Sequence, residues 1–358
     1  TMPSRIEAGF RKAGITALHG EARFTGRDTI TLNGETLRAK HFHIATGARP
    51  MTLNIPGEDL LTTSTEFLEL SERPDRITFV GGGFIAMEFA HIAQRAGASA
   101  VTVLEMAGRP LGPFDADLVA MLVEASTELG IEVQTEAKVL KVEKQGGAFA
   151  VSYETPSGIQ VLTCDLVVHA TGRVPNIDSL NLPAAGVEAG KRGIKVDAAM
   201  RTTNPTIFAA GDCADSGLNL TPVSAYEGRI AGKNLLAGKD ARLVSYPPIP
   251  SVVFTLPPVA TVGLSETAAT EKGLEFDTHF EKTSGWYSSM RVGATTSGFK
   301  VLVEQKTGLI LGAHLIGPGA EEQINLFAMA MGAGLTANQI KAMIFAYPSF
   351  ASDIGSMV

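Results

Sequence analysis

Cysteine is almost missing. Cys164 and Cys213 are the only two in the chain and stand 49 positions apart, which excludes a CxxC metal knuckle and a disulfide framework. Each reads as a small buried apolar side chain, and no metal site is expected. Also missing is any uninterrupted apolar run of about 18 residues, or a charged-then-apolar leader. The expectation is a cytoplasmic protein with no membrane partner. A basic surplus is absent too, because 30 Lys and Arg face 37 Asp and Glu, for a net charge of −7. Nucleic acid is therefore not the expected partner.

Glycine is abundant, at 38 of 358 residues, about half again the usual ~7%. The length sets a soft expectation of two to three domains. The chain opens at Thr1 on residues that read as mid-domain material, so an N-terminal portion is expected to precede it.

From residue 15 to 50, short apolar runs alternate with turn residues. Asn33-Gly34 marks a hairpin in a small antiparallel meander ending at Gly47. A buried strand at Ile77 to Val80 runs into Gly81-Gly82-Gly83. Ile85, Phe89, Ile92, Ala93 and Ala96 follow at helical spacing, then a second apolar strand at Val101 to Leu104. After a helix at about Asp115 to Leu129, alternation and Gly146-Gly147 predict an antiparallel excursion that returns to a buried strand at Leu166 to His169. Ala-Thr-Gly occurs twice, at Ala45 to Gly47 and at Ala170 to Gly172, and suggests two related nucleotide-binding domains. From Tyr246 the proline-rich entry, strands at Phe299 to Glu304 and Leu309 to Ile316, and an apolar helix from Glu321 to Met331 predict an α+β domain.

Gly81, Gly83 and Ala86 fit G-x-G-x-x-A between a strand and a helix, the dinucleotide fingerprint. Gly81 permits the tight turn, Gly83 lets a pyrophosphate approach the backbone, and Ala86 allows close helix packing. The helix N-terminus offers free N–H groups to the phosphates. Glu105, directly after the second strand, stands where a carboxylate accepts the ribose hydroxyls of NAD. The competing reading is an ordinary glycine turn beside a solvated acid. Repulsion between Glu105 and a 2′-phosphate favours NAD over NADP, whereas Arg109 could grip such a phosphate or form a surface salt bridge. Asp212 follows an apolar strand near the start of another apolar helix, and alone reads equally as a polyol ligand or a helix cap.

In order, "HIATGARP", "VGGGFIAMEFA", "HATGRVPN", "IFAAGDCA", "LTPVSAYEGRIAG" and "PSVVFTLPPVATVGLSE" resemble FAD-dependent pyridine nucleotide-disulfide oxidoreductases, the group of glutathione reductase, dihydrolipoamide dehydrogenase and mercuric reductase. The resemblance runs along essentially the whole chain. It implies an α/β fold with two Rossmann-like domains, the NAD domain inserted in the FAD domain, and a C-terminal α+β dimerisation domain. The implied segments are 1–74 and 176–244 for FAD, 75–175 for NAD(P) and 245–358 for the interface of a homodimer. By the same resemblance Thr46 and Gly47 border the FAD site, Ala22 contacts adenine, Asp212 binds the ribityl chain and Thr221 lies at the flavin ring. Phe84 matches the aromatic gate over the flavin, or else is a core aromatic. Ile85 and Glu88 match residues beside the nicotinamide, Glu88 being otherwise an exposed helix acid. Gly172 and Val252 complete that pocket, and Arg173 fixes the turn that shapes it.

Two departures from the pattern bear on function. The family's FAD pyrophosphate loop and redox Cys-x4-Cys are expected upstream, and neither Cys164 nor Cys213 substitutes for them. The C-terminal His-Pro-Thr segment reads Tyr347-Pro348-Ser349, so Tyr347 takes the place of the catalytic base. A histidine near ~6.5 shuttles a proton at neutral pH, whereas a tyrosine near ~10 is ionised about one part in a thousand. Tyr347 is therefore cast as a hydrogen-bond donor, a substrate-facing ring or an interface residue. The expected activity passes hydride from NAD(P)H to FAD and on to a disulfide or related acceptor, glutathione reductase-like without the catalytic His. The alternatives are a mercuric reductase-like metal-ion reductase and a non-catalytic NAD(H)-binding fragment without flavin.

Overall fold

Asn33 and Gly34 take left-handed φ values of 51° and 86°, the geometry that an Asn-Gly hairpin turn demands. They join Thr29–Leu32 to Glu35–Arg38 in a three-stranded antiparallel sheet whose third strand is Ala22–Gly26. The meander stops there rather than at Gly47. Phe42–Ile44 leaves it and pairs in parallel with Ile207–Ala209. Burial explains the departure: Ile44, Ile207, Phe208 and Ala209 share one core with Phe24, and Ile207–Ala209, buried along its whole length, suits a parallel pair.

The computed structural model describes residues 2–237 and 241–358, and it divides into two compact units. The first comprises the residues up to Arg49 together with Arg173–Ser245; the second comprises Pro50–Gly172 and Tyr246–Val358. In the first unit the core just described is closed by the helix Thr221–Ala237, which follows the short turn Gly211–Cys213.

In the second unit a parallel sheet has the order Leu166–His169, Arg76–Val80, Ala100–Leu104 and Ile131–Gln134. The helix Phe84–Arg95 buries Ala86, Met87, Phe89, Ala90, His91 and Ala93. Ile92, expected on the buried face, is instead 53% exposed, because the small residues Ala86, Ala90 and Ala93 carry the contact with the sheet. Phe67 stacks on Phe89 at 4.6 Å and meets Phe79 edge-on at 5.7 Å, contacts worth about 0.5–1.5 kcal/mol each beyond their burial. The excursion forms a second sheet of Lys138–Gln145, Ala148–Thr155 and Gly158–Cys164.

The rest of this unit is a five-stranded antiparallel sheet, ordered Ser251–Val253, Val259–Gly263, Ile310–Ile316, Gly298–Glu304 and Phe276–Lys282. The helix Ala320–Gly332 covers it through Ile324 and Phe327. Val253, Val259 and Ile316 pack into the same core as Ile77, Phe79 and Ala90, which joins this sheet to the nucleotide-type sheet in one unit. No helix among the described residues is long and apolar enough to cross a membrane.

Candidate functional site

Three successive glycines end the strand Arg76–Val80, and each has a different reason to be glycine. Gly81 has φ +100°, and a Cβ there would meet Ala170 O at 2.6 Å. At Gly82 a Cβ would fall 2.7 Å from Glu105 Oε2. Gly83 precedes the first turn of the helix with φ −75°, and its Cβ would find only Ala170 O, at 3.9 Å. The fold therefore requires glycine at the first two positions and not at the third, where the bare backbone leaves room for a phosphate.

Glu105 holds the turn. Its Oε2 accepts the Gly82 amide at 2.5 Å and its Oε1 accepts the Ala107 amide at 2.6 Å. An ionised carboxylate has roughly four acceptor positions, so two remain for hydroxyl donors. Ala86 is fully buried beneath the turn, Ile85 is half-buried, and Phe84 is 54% exposed. Its exposure removes the reading of Phe84 as a core aromatic. Arg109 donates to the carbonyls of Leu111, Gly112 and Phe114 at 3.3, 2.6 and 2.9 Å. Among the described residues it forms no ion pair, so the salt-bridge reading gives way to a guanidinium that organises its own loop.

Glu88 is not an exposed helix acid. It is half-buried and its Oε1 accepts the Phe254 amide at 2.8 Å. Burial raises its pKa above the usual carboxylate range, and the Phe254 hydrogen bond works against that rise. Phe254 follows the strand Ser251–Val253 that carries the half-buried Val252. Gly172, φ +120°, lies in the turn after the strand Leu166–His169, with Met51 Sδ 3.6 Å from where its Cβ would lie. No sequence pattern signals the Glu88–Phe254 contact, because the partner of Glu88 is a backbone group 166 residues away.

Tyr347 is 74% exposed and stacks on Tyr287 with ring centroids 6.0 Å apart. Asp353, in the same C-terminal segment, accepts from the Ser288 hydroxyl rather than from Tyr347, and burial raises its pKa.

The first unit holds the other predicted positions. Gly47 has φ +66°, and its carbonyl accepts the Asn176 amide at 2.9 Å, while Thr46 O accepts from Asn176 Nδ2 at 3.4 Å. Arg173 Nη2 donates to Ala48 O. Asp212 accepts the Ser224 hydroxyl at 3.2 Å, a side-chain partner in the first turn of the helix that Thr221 begins. It caps no backbone N–H among the described hydrogen bonds, so the helix-cap reading of Asp212 is set aside. Ala22 starts its strand half-buried, opposite Leu32. The sequence reading missed Glu227, which is fully buried and accepts the Gly211 amide at 2.8 Å, holding the Asp212 turn against the helix. Cys164 and Cys213 are both free and buried.

Residues 2–228 match the sequence family described as pyridine nucleotide-disulphide oxidoreductase, and residues 249–358 match its dimerisation domain. The chain is 36% identical to mercuric reductase from Bacillus cereus over 344 residues, which is 95% of this chain and 54% of that protein. It is 32% identical to glutathione reductase from Burkholderia cepacia over 355 residues, 98% of this chain and 78% of that one. Its fold matches that of the HOCl-induced flavoprotein disulfide reductase RclA from Escherichia coli with a TM-score of 0.90 at 28% identity, covering 99% of this chain and 82% of that one. The chain thus spans about half the length of the mercuric reductase it matches.

Proposed function

The chain belongs to the pyridine nucleotide-disulphide oxidoreductase family, and from that premise we propose that it acts in an FAD-dependent oxidoreductase that takes hydride from NAD(P)H and reduces a disulfide or related small acceptor. The observation that carries this reading is the glycine turn, where Gly83 stays bare although the fold leaves space for a side chain. Gly81, Gly83, Ile85 and Ala86 would hold the dinucleotide backbone, and Glu105 the adenosine ribose, which favours NAD over NADP. Gly172 and Val252 would line the nicotinamide, with Glu88 beside it and Phe84 over it. Arg109 supports the adenosine end by keeping the loop after Glu105 in place.

On the flavin side, Thr46, Gly47, Asp212 and Thr221 would hold FAD, and Ala22 its adenine. The fit rests on the left-handed backbone at Gly47 and on an Asp212 carboxylate that retains acceptor positions beyond Ser224. When bound, the flavin supplies the redox chemistry, taking up a hydride and handing on two electrons. The chain's own residues orient and shield. Exposed Phe84 is free to turn without disturbing the core, and half-buried Glu88 would place a carboxyl group near the reacting end, its pKa raised by burial. We assign the segments 1–74 and 176–244 to flavin, 75–175 to dinucleotide and 245–358 to the contact of a homodimer. We place the reaction in the cytoplasm, supported by two free, buried cysteines.

Tyr347 then acts as a donor or a ring against the acceptor rather than as a base. A metal-ion acceptor is the second reading, favoured by the 36% identity to mercuric reductase and by a tyrosine where the family has histidine. The test is to incubate the purified protein with FAD, desalt it, and record its absorption before and after NADH without oxygen. Retained flavin that NADH bleaches supports the proposal, and reoxidation by glutathione disulfide or by Hg(II) then separates the acceptors. A folded protein whose flavin is lost, or is retained but not bleached, overturns it in favour of a non-catalytic dinucleotide-binding role.

A further inference from the structure

Glu88 and His91 lie three residues apart on the helix that begins at the glycine turn, and both meet the segment after the strand Ser251–Val253. Glu88 accepts the Phe254 amide, and His91 Nδ1 accepts the Leu256 amide at 3.4 Å. The side chains of Phe254 and Leu256 are 64% and 53% exposed, so their own burial does little to hold the segment. Thr255 between them is buried, and its hydroxyl donates within the segment, to Pro257 O at 2.7 Å.

The second partner of His91 fixes its tautomer. The Ser126 hydroxyl donates its one proton to Leu122 O at 2.7 Å. Ser126 Oγ, 3.0 Å from His91 Nε2, is therefore the acceptor, and Nε2 carries the hydrogen. Nδ1 is then bare, as the Leu256 amide requires. Burial first, and the charge of Arg95 second, lower the imidazole pKa to about 4, so the ring is neutral in ordinary conditions.

We propose that His91 is a positioning residue for the nicotinamide end of the dinucleotide, fixing Val252 by holding the Leu256 amide in a tautomer set by Ser126. The inference rests on the function proposed above. The glycine turn and the nicotinamide wall are thereby tied to one helix, so that a dinucleotide held at Gly83 and Glu105 meets Val252 at a constant distance. Loosening the segment would leave the adenosine end bound and the reacting end poorly aligned, and small misplacements of reacting groups are costly in rate.

The substitutions His91→Gln and His91→Asn separate this role from simple packing. In Gln the polar atoms reach the Nε2 position and the Nδ1 acceptor is lost, whereas in Asn the oxygen lies at the Nδ1 position. Flavin reduction by NADH is followed by stopped flow in the FAD-loaded protein, together with NADH affinity. The expected result is that His91→Gln lowers the limiting reduction rate roughly tenfold with unchanged affinity, and that His91→Asn keeps most of the rate. Should His91→Gln fail to fold, Ser126→Ala, which frees the tautomer, is expected to slow reduction in the same direction by less. A full rate in His91→Gln, or in Ser126→Ala where that variant stands in, overturns the inference, as does an equal loss in the Gln and Asn variants. If the unsubstituted protein is not bleached by NADH, the proposed function has failed and this inference falls with it.

Discussion

Glu105 closes the glycine turn by accepting the Gly82 amide at 2.5 Å, and the same carboxylate takes the Ala107 amide on its other oxygen. A glutamine cannot reproduce this, since its NH2 must face one of the two donors. Glu105→Gln should lose about 1–3 kcal/mol, the cost of one unpaired amide, and should weaken NADH binding. Glu105→Arg should also shift the preference from NADH towards NADPH. Denaturant unfolding and reduction rates with each dinucleotide check both, and an unaltered preference in Glu105→Arg would remove the assignment of Glu105 to the ribose.

The neighbouring glycines give opposite expectations from the same substitution. Gly81→Ala places a Cβ 2.6 Å from Ala170 O at φ +100°, and the backbone strain alone costs about 1–3 kcal/mol. Gly83→Ala meets ordinary φ and open space, so stability should stay within about 0.5 kcal/mol of the original. Its NADH affinity should nevertheless fall by roughly tenfold or more, equivalent to about 1.4 kcal/mol. Equal NADH affinity in Gly83→Ala, measured by titration, would mean that no phosphate approaches this backbone.

A pH dependence follows from His91. Its pKa is about 4 in the folded protein, against 6.5 as the ordinary value, through burial and then the charge of Arg95. The unfolded chain binds more protons between these values, so stability rises with pH through this window and is lost as pH falls from 6.5 towards 4. The full loss is about 3 kcal/mol. Urea unfolding at pH 7 and pH 4.5 should show a smaller difference for His91→Gln than for the unsubstituted protein. Equal differences would place the acid sensitivity elsewhere.

What could be read beforehand was local, and what could not was mostly long-range. Asn33-Gly34 and Gly81 announce themselves because only certain residues tolerate positive φ, and both turns lie where the pattern put them. Glu105 was legible because a strand end and a glycine turn fix its place. The meander was overextended to Gly47 because Phe42–Ile44 carries the same short apolar pattern whether it pairs with Glu35–Arg38 or, as found, with Ile207–Ala209. The salt-bridge reading of Arg109 fails because a guanidinium has five donors and its carbonyl partners carry no sequence signature. The contacts of Glu88 with Phe254 and of His91 with Leu256 are invisible for the same reason, since they end on backbone amides more than 160 positions away.

The least legible feature is also the most exposed to a stability test. Lys300 Nζ lies 2.9 Å from Asp115, 2.5 Å from Asp117 and 3.1 Å from Glu266, with the side chains of Lys300 and Asp115 each only 4% exposed. Burial opposes the ammonium charge, but the hydrogen bonds to Asp117, Asp115 and Glu266 outweigh it and raise the lysine pKa. The pair therefore contributes stability below the ordinary lysine value of 10.5 and loses it only as pH rises through the higher folded value. Asp115 also caps the helix Ala116–Glu128 through the amides of Asp117 and Leu118, so the strand Gly298–Glu304 grips the start of a helix that packs on the nucleotide-type sheet. Lys300→Met leaves the Asp115 carboxylate buried without its cation and should cost about 3–5 kcal/mol. Asp117→Asn and Glu266→Gln touch partners that are about half exposed and should each cost less than about 1 kcal/mol. Asp115→Asn keeps an oxygen for the cap while removing the charge, so the double variant Asp115→Asn, Lys300→Met should recover much of the loss. Urea unfolding at pH 8 measures all four, and a double variant no more stable than Lys300→Met alone would show that the lysine stem, rather than the ion pair, carries the contact.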